Sequence, residues 1–503
     1  MERLISLLGY GVMILLALAL SSNRKQFPKR IVIVGTVLQV IIAAFMFRTT
    51  IGQTIFGAMG AFFDTMLSAV DTGSRFVFGD VFKEHFFAFK ILPTIIFVSA
   101  LMSILYYLRV MQAIVAVLAW IMVRTMQLSG AEALSAAANV FVGQTEAPLV
   151  VRPYVSSMTR SELMALMICG FATTAGGVLA AYVGMGIDAA HLLTASVIAT
   201  PAALLIGKII EPEISKPVTM GEVKIDIPIE ATNVIEATAE GTSEGLKLAL
   251  NVGAMLIVFL GLIALIDICL GYTGEQLFGF KDADRWSLGA IFSYLFWPIA
   301  WVMGVEYRDC NNVAHLLGVK MAANEFVAYQ ILGEWLKPET PEQISPRTLV
   351  ILTYALCGFS NFSSIGIQIG GIGAMAPERR SDLAQLGMRA MLGGTLACCM
   401  TACIAGLLIP ADLTPSLEGT AWMQRDADGK ATVYEFKADR ELSILPDEPA
   451  AGPKAGLWKQ TGKNLHLSLD NGATRVKAII QGDGMTGQME SADAKSVWTA
   501  SKN

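Results

Sequence analysis

Charge is scarce in this sequence. Only 16% of its 503 residues are Asp, Glu, Lys or Arg, against about 25% in soluble globular domains. That excludes an ordinary soluble enzyme as the main body of the chain. Histidine is scarcer: His85, His191, His315 and His466 stand far apart, so no histidine cluster offers a metal or acid–base centre. No block of Lys and Arg suggests a nucleic-acid surface, and the net charge is only −5. The seven cysteines are Cys169, Cys269, Cys310, Cys357, Cys398, Cys399 and Cys403. None has zinc-ligand spacing, and all lie in or beside apolar stretches. Neither a metal site nor a disulfide framework follows.

What the sequence does have is apolar chain, at 54% of residues and a mean hydropathy of +0.55. This composition implies a polytopic membrane protein with some soluble sequence attached. Full-length apolar segments lie near 4–20, 31–48, 88–109, 161–187, 191–210, 247–270, 347–372 and 386–410. The first is expected to stay as an uncleaved helix, because its basic cluster (Arg24, Lys25, Lys29, Arg30) follows the apolar run rather than preceding it. Amphipathic or interfacial runs are expected at 52–71, with Asp64 and Asp71, and at 111–127. A Trp-rich apolar run covers 286–305. Residues 211–245 are polar and are expected to form a soluble loop.

Two segments are too short and too interrupted to span. One is 130–155, holding NVFVGQTEAPLVVRP; the other is 311–335, holding NEFVAY. Each is followed by a Cys-Gly-Phe sequence, CGFATTAGG from Cys169 and CGFSNFSS from Cys357. The order is the same in both halves: long helix, interfacial run, interrupted segment, long helix, long helix. Paired interrupted segments in corresponding positions point to a transporter binding site. Unpaired backbone at membrane depth survives only when buried in protein or lining a watery cavity. Each short segment is therefore expected to be a re-entrant hairpin, the first with its tip at Gly143–Pro148. Gly143 would supply a tight or left-handed turn, and Pro148 the first turn of the returning half-helix. Breaks in the long helices are expected at Thr173 and Asn361. Glu146 and Glu325, one per hairpin, are functional candidates because ionisable groups at membrane depth are costly.

Lys and Arg fall on one side if the N-terminus lies outside. The 21–30 loop, Arg124, Arg152 and Arg160 by the first hairpin, and Arg379 and Arg380 in the last loop are then all cytoplasmic. The two halves acquire opposite topology, and eight crossings place the C-terminus outside. The fold class expected is an all-α polytopic, inverted-repeat transporter with two re-entrant hairpins and broken helices.

GQTEAP, GFATTAG, NEFVAY and CGFSNFSS, in that order and spacing, resemble the concentrative nucleoside transporter family over roughly residues 1–412. The resemblance implies a secondary-active symporter that imports nucleosides such as uridine across the cell inner membrane, driven by Na⁺, working as a homotrimer. It implies a scaffold of about 1–109 and 246–270, and a transport part of about 130–210 and 311–412 that slides like an elevator. It places Gln144, Thr145 and Glu146 toward the nucleobase, with Val178 packed nearby. It places Glu325, Asn361 and Ser364 on the ribose hydroxyls, with Phe359 beside the nucleoside. It gives the Na⁺ ligands as Asn139, the Val142 carbonyl, Thr173 and the Thr174 carbonyl. The chemistry suits these roles: amide and hydroxyl groups match a base edge, and a carboxylate is a strong acceptor for hydroxyl donors. Plainer roles exist as well. Asn139 and Asn361 suit helix caps, and Thr173 and Ser364 can bond back to their own helix.

No nucleophile–base pair accompanies the two glutamates, so no enzyme and no cofactor is implied beyond Na⁺ as coupling ion. A proton-coupled nucleoside symporter is one alternative. The other is a nucleoside-binding membrane receptor acting through the C-terminal region. That region, 413–503, is polar. ATVYEF and NLHLSL alternate like strands, and Asn471-Gly472 and Asp483-Gly484 are hairpin signals. Residues 443–456 look like a Pro/Gly linker. A small β-rich extramembrane module is expected, outside the cytoplasm, with no role in transport.

Overall fold

The computed structural model describes residues 2–79, 87–221, 231–278, 286–336 and 344–409. Beyond these it describes 417, 420–425, 431–437, 441–446, 454–461, 464–469, 473–481, 484–491 and 495–502. Two compact units divide the chain. One is Met1–Gln330 with Val350–Leu408; the other is Ile331–Leu349 with Ile409–Asn503.

The first unit is helical. It opens with α1 (Glu2–Ala19), α2 (Lys29–Arg48) and α3 (Thr50–Phe78). After a π-helical turn come α4 (Leu92–Tyr107) and α5 (Val110–Met126). The first interrupted segment contributes α6 (Gly130–Ala138), a 3₁₀ turn at Ala147–Val151 and α7 (Arg152–Val155). Then follow α8 (Arg160–Ala172), α9 (Gly176–Gly184), α10 (Ala189–Ile210), α11 (Val234–Phe278) and α12 (Leu288–Val302). The second interrupted segment is α13 (Cys310–Ala322) and α14 (Glu325–Trp335), whose residues from Ile331 onward are assigned to the second unit. Last come α15 (Pro346–Leu356), α16 (Phe362–Met375) and α17 (Arg380–Leu408).

Among the described residues seven helical stretches are long and apolar enough to cross a membrane. They match seven of the expected full-length segments. The eighth, near 347–372, is split into α15 and α16. Leu4, Leu8, Ile33, Ile41, Ile257 and Ile268 stand exposed on α1, α2 and α11. Such apolar surface suits lipid or a partner subunit and not water. The first helix is built into this unit: Ser6 Oγ donates to the Met303 carbonyl at 2.8 Å.

The expected soluble loop at 211–245 is corrected at its second half. Residues 222–230 lie outside the described residues, but α11 begins at Val234. Gly241 and Gly245, which resemble loop residues in the sequence, are contact points. A Cβ on Gly241 would lie 2.8 Å from Ala100 Cα, and one on Gly245 2.8 Å from Ile96 Cα, so α4 and α11 pack backbone to backbone. The amphipathic run at 52–71 is likewise part of a longer helix, α3.

The second unit holds a closed barrel of eight antiparallel strands in meander order. They are β1 (Ala421–Arg425), β2 (Ala431–Phe436), β3 (Glu441–Pro446), β4 (Lys454–Thr461), β5 (Asn464–Leu469), β6 (Thr474–Gln481), β7 (Gly484–Glu490) and β8 (Lys495–Lys502). Pairing of Trp422 with Lys502 and Met423 with Ser501 closes the ring, which removes exposed strand edges. Tyr434, Phe436, Leu465, Leu467 and Trp498 point inward, and Trp498 is fully buried. The alternation in ATVYEF and NLHLSL thus marks β2 and β5. The linker expected at 443–456 is corrected: its ends belong to β3 and β4. Asn471-Gly472 and Asp483 lie outside the described residues, between paired strands.

Candidate functional site

The base of the first interrupted segment is fixed by two capping boxes. Ser129 and Glu132 cap α6 reciprocally, and Thr159 and Glu162 cap α8 in the same way. Both are Ser/Thr-x-x-Glu patterns. The boxes are wired together, since Ser129 Oγ donates to Glu162 Oε1 at 2.6 Å. Lys208 of α10, buried, pairs with Glu132 and with Glu213. A buried charge held by partners on other elements fixes their mutual register, because losing one partner strands the rest.

The chain then turns at 139–146. Of the tight or left-handed turn expected at Gly143, the tight turn is present, with Glu146 N donating to Gly143 O at 3.2 Å, while the φ of Gly143 is not positive. Its role is close approach: the Glu146 carboxylate curls over the place a Cβ would take. Gly143 O accepts from Ala147 N at 3.0 Å, and the returning strand of the segment is a 3₁₀ turn before it becomes α7. Pro148 sits in the first turn of that 3₁₀ element, where its missing N–H costs nothing. Thr145 Oγ1 donates to Glu146 Oε1 at 3.3 Å. Glu146 opens onto a cavity of about 420 Å³ whose walls include Ser99, Tyr106, Gln112, Gly176, Glu240 and Glu244. α4 and α11 supply one side of it, the 139–152 segment and the start of α9 the other.

Both long-helix breaks are present, but Cys-Gly-Phe does different work in each. In the first half Cys169, Gly170 and Phe171 are still helical, and the break is Thr173–Ala175. In the second half the break starts at Cys357 and runs to Asn361, with Gly358 at φ +100°. Only glycine adopts that backbone at little cost, and Gly358 N donates to Thr174 Oγ1 at 3.1 Å, tying the two breaks together. Asn361 is the N-cap of α16, taking Ser364 N at 2.9 Å. Its Oδ1 also accepts from Ser363 Oγ at 2.7 Å. The remaining amide group, Nδ2, donates to Glu325 Oε2 at 3.1 Å. Tyr182 of α9 donates to the other oxygen, Oε1, at 3.0 Å.

Glu325 and Asn361 are 3% and 1% exposed. The pair is sealed, charge-assisted and fixed in orientation. Gln144 reaches the same helix: its Nε2 donates to Ser364 Oγ at 3.1 Å. Six of the expected nucleoside-site residues therefore connect to or flank α16: Gln144, Thr145, Glu325, Phe359, Asn361 and Ser364, with Thr145 Cγ2 2.7 Å from where a Cβ on Gly371 would lie. Phe359 is half-buried in the break, and Val178 is buried in α9 one helical turn before Tyr182. Glu146 does not join this cluster; it faces the cavity beside α4 and α11. No direct contact joins Glu146 to Glu325 among the described hydrogen bonds.

The two segments that carry the residues expected to hold an ion are tied together. Gly176 N donates to Phe141 O at 2.9 Å, clamping the 139–146 turn against the break after α8. Asn139 is 1% exposed and its Nδ2 donates to Ser135 O. Its Oδ1 is buried with no hydrogen-bond partner among the described residues. An unmet buried acceptor is costly unless something satisfies it. Thr173 Oγ1 bonds back to Cys169 O at 2.9 Å, leaving its lone pairs free to accept. This oxygen-only donor set fits a hard monovalent cation.

Three residues of the site escape motif reading. Tyr182 follows Val178 by one turn on the same helix face. Gln368 follows Ser364 by one turn. Lys320 precedes Glu325 by five residues, and its buried ammonium donates to Ala355 O at 3.0 Å and Cys357 O at 3.1 Å. The i, i+4 spacing of Ser364 and Gln368 in an otherwise apolar helix is a signal for Gln368; Tyr182 follows an apolar residue and has none.

Family models named for the Na⁺-dependent nucleoside transporter N-terminus and C-terminus match residues 8–81 and 191–406. A nucleoside-recognition (gate) model matches 88–189. An uncharacterised transporter of Haemophilus influenzae is 44% identical over 415 residues, covering 81% of this chain and 98% of that protein. Solute carrier family 28 member 3 of Eptatretus stoutii is 44% identical over 429 residues, 83% of this chain and 62% of that one. Sodium/nucleoside cotransporter 1 of Mus musculus is 41% identical over 419 residues, 81% of this chain and 64% of that one. This chain thus spans less than two thirds of the length of these animal relatives. Among solved structures, CNTnw in an inward-facing substrate-bound state superposes with a TM-score of 0.75 at 41% identity, over 81% of this chain and 98% of that one. A CNTnw variant in an outward-facing state gives 0.77 at 40%, over 83% and 100%.

Proposed function

The chain belongs to the Na⁺-dependent, concentrative nucleoside transporter family, and from that premise we propose that it is a symporter importing nucleosides across the cell inner membrane with Na⁺. Its relatives carry the names of transporters and not of enzymes. The observation that carries the reading is the sealed Glu325–Asn361 pair at a helix break, with Tyr182 behind it and Gln144 and Ser364 alongside.

In this reading Glu325 and Asn361 take the ribose hydroxyls, Ser364 lies beside them, and Phe359 offers its ring to the nucleoside. Each carboxylate oxygen keeps a lone pair after its bond to Tyr182 or Asn361, so Glu325 can accept two hydroxyl donors without losing its orientation. Gln144, Thr145 and Glu146 meet the base, and Val178 packs near it. Na⁺ is cargo. Asn139 Oδ1, the Val142 carbonyl, Thr173 Oγ1 and the Thr174 carbonyl receive it. Because the same 139–146 turn presents both ion oxygens and the base-facing Gln144, Na⁺ binding stiffens the turn and raises nucleoside affinity; linkage makes the effect mutual.

The two interrupted segments are re-entrant hairpins of an inverted repeat. They move with the broken helices as one transport part, about 130–210 and 311–412, past a scaffold of about 1–109 and 246–270. The cavity between Glu146 and α4 and α11 lies along that sliding surface. Both termini face outward, and the exposed apolar surface serves lipid and a homotrimer. The test is uptake of radiolabelled uridine into proteoliposomes. An inward Na⁺ gradient is expected to drive accumulation above equilibrium. Absence of uptake under both a Na⁺ and a proton gradient overturns the reading; uptake under a proton gradient alone moves the coupling to H⁺.

A further inference from the structure

Gln368 lies in the middle of α16, completely buried, and no motif singles it out. Its Nε2 is 3.0 Å from the Met167 carbonyl of α8 and 3.0 Å from Gln144 Oε1. A backbone carbonyl can only accept, so the Gln368 atom facing Met167 must be its NH₂ group. That NH₂ also faces the Gln144 side chain, which must therefore turn its oxygen there. The Gln144 NH₂ is left toward Ser364 Oγ, at 3.1 Å. Ser364 Oγ, having accepted that bond, keeps its own proton to give. One backbone carbonyl on α8 thus sets the direction of every bond in the chain Met167, Gln368, Gln144, Ser364. Turning the Gln144 amide round would set two NH₂ groups against each other.

Gln368 gives up something to do this. Its Oε1 is buried without a hydrogen-bond partner among the described residues. The surroundings are cut to admit the relay. A Cβ on Gly170 would lie 2.8 Å from Gln368 Nε2 and 2.9 Å from Gln144 Cβ. The glycine of the first Cys-Gly-Phe is therefore a gap in α8 through which the two glutamines meet. A side chain kept at the cost of an unmet acceptor, in a gap only glycine leaves, is poorly explained as filler.

We propose that Gln368 is a positioning residue that fixes which way round the Gln144 amide meets the nucleobase, and thereby sets base preference; this rests on Gln144 facing the base. In the fixed orientation Gln144 turns its second N–H, and not its oxygen, to the base. That donor calls for an acceptor on the ligand, such as the exocyclic oxygen of a uracil ring. The amino group that cytosine carries at the same position is a mismatch.

The experiment compares wild type with Gln368→Met, which matches the side chain in length and donates nothing, and with Gln368→Glu, which keeps the shape. Dissociation constants for uridine and cytidine are measured by competition at saturating Na⁺ in the same vesicles used for uptake. With the amide freed or reversed, cytidine is expected to gain on uridine by about fivefold in the ratio of constants, the worth of one hydrogen bond. A ratio within about twofold of wild type in a monodisperse variant overturns the inference, whether both affinities hold or both fall together, because loss of packing alone weakens both nucleosides alike. Lack of nucleoside binding by wild type overturns the transport reading itself, which separates the two failures.

Discussion

The two halves of the membrane unit have one plan and opposite electrostatic solutions. In the first half the interrupted segment turns loosely through 139–146, and its buried acceptor Asn139 Oδ1 is left unpaired. In the second half α13 and α14 are separated only by Ala323 and Asn324, and Asn324 Oδ1 caps the return by taking Val327 N at 3.0 Å. The carbonyls at the end of α15 are not left open. Lys320 covers Ala355 O and Cys357 O with its own ammonium. The negative end of a helix favours a cation there. One half keeps a seat made of neutral oxygens, and the other carries a tethered cation. The carboxylates follow suit: Glu146 opens onto a cavity, while Glu325 is sealed by Tyr182 and Asn361. In the proposed reading inverted repetition sets the topology, and single residues decide which half admits a mobile ion.

This contrast can be broken at three places. The largest effect is expected at Glu325→Gln, which removes the charge from a sealed pair. Nucleoside affinity should fall by about 100-fold, on the scale of a lost buried charge-assisted bond, with oligomer and fold retained. Wild-type affinity in equilibrium binding would remove Glu325 from the site. Next is Lys320→Met. Ala355 O loses the ammonium and Cys357 O keeps only the Cys398 thiol as donor, and stability should drop by about 2 kcal/mol, read as a lowered thermal midpoint in detergent. An unchanged midpoint would mean the tethered cation is dispensable. The smallest is Gly143→Ala. The new Cβ collides with the Glu146 carboxylate, which can swing into the cavity, so the cost should be about 1 kcal/mol. Uptake should slow by a few-fold, and a combined Gly143→Ala, Glu146→Gln variant should lose no more than Glu146→Gln alone. Additive losses would show that Gly143 acts independently of that side chain.

Where the sequence was legible, the cue was a polar or glycine residue out of place in apolar chain. Thr173 and Asn361 mark the two breaks, and Gly143 and Glu146 the turn. Caps were legible too: Asn361, a capping candidate, does cap α16 while it also holds Glu325. The first ten or so residues of α11 were hidden because their Gly, Thr, Ser and Glu mimic a loop. Only the close approach of α4 shows why small residues belong there. Lys320, Tyr182 and Gln368 were hidden because each works through another element: the end of α15, Glu325 and Gln144. No spacing along one helix records such a partner. In the C-terminal module alternation revealed individual strands, but closure of the barrel depends on β1 meeting β8, a pairing of residues far apart in the chain.

The central claim is that the first half holds the ion while the second holds the sugar, with the two linked. It is tested most directly by titrating uridine affinity against Na⁺ concentration in an Asn139→Leu variant. The account predicts that the Na⁺ needed for half-maximal effect rises by about tenfold and that uridine affinity returns to the wild-type value at saturating Na⁺. An affinity that stays depressed at every Na⁺ concentration, or a Na⁺ dependence identical to wild type, would contradict it.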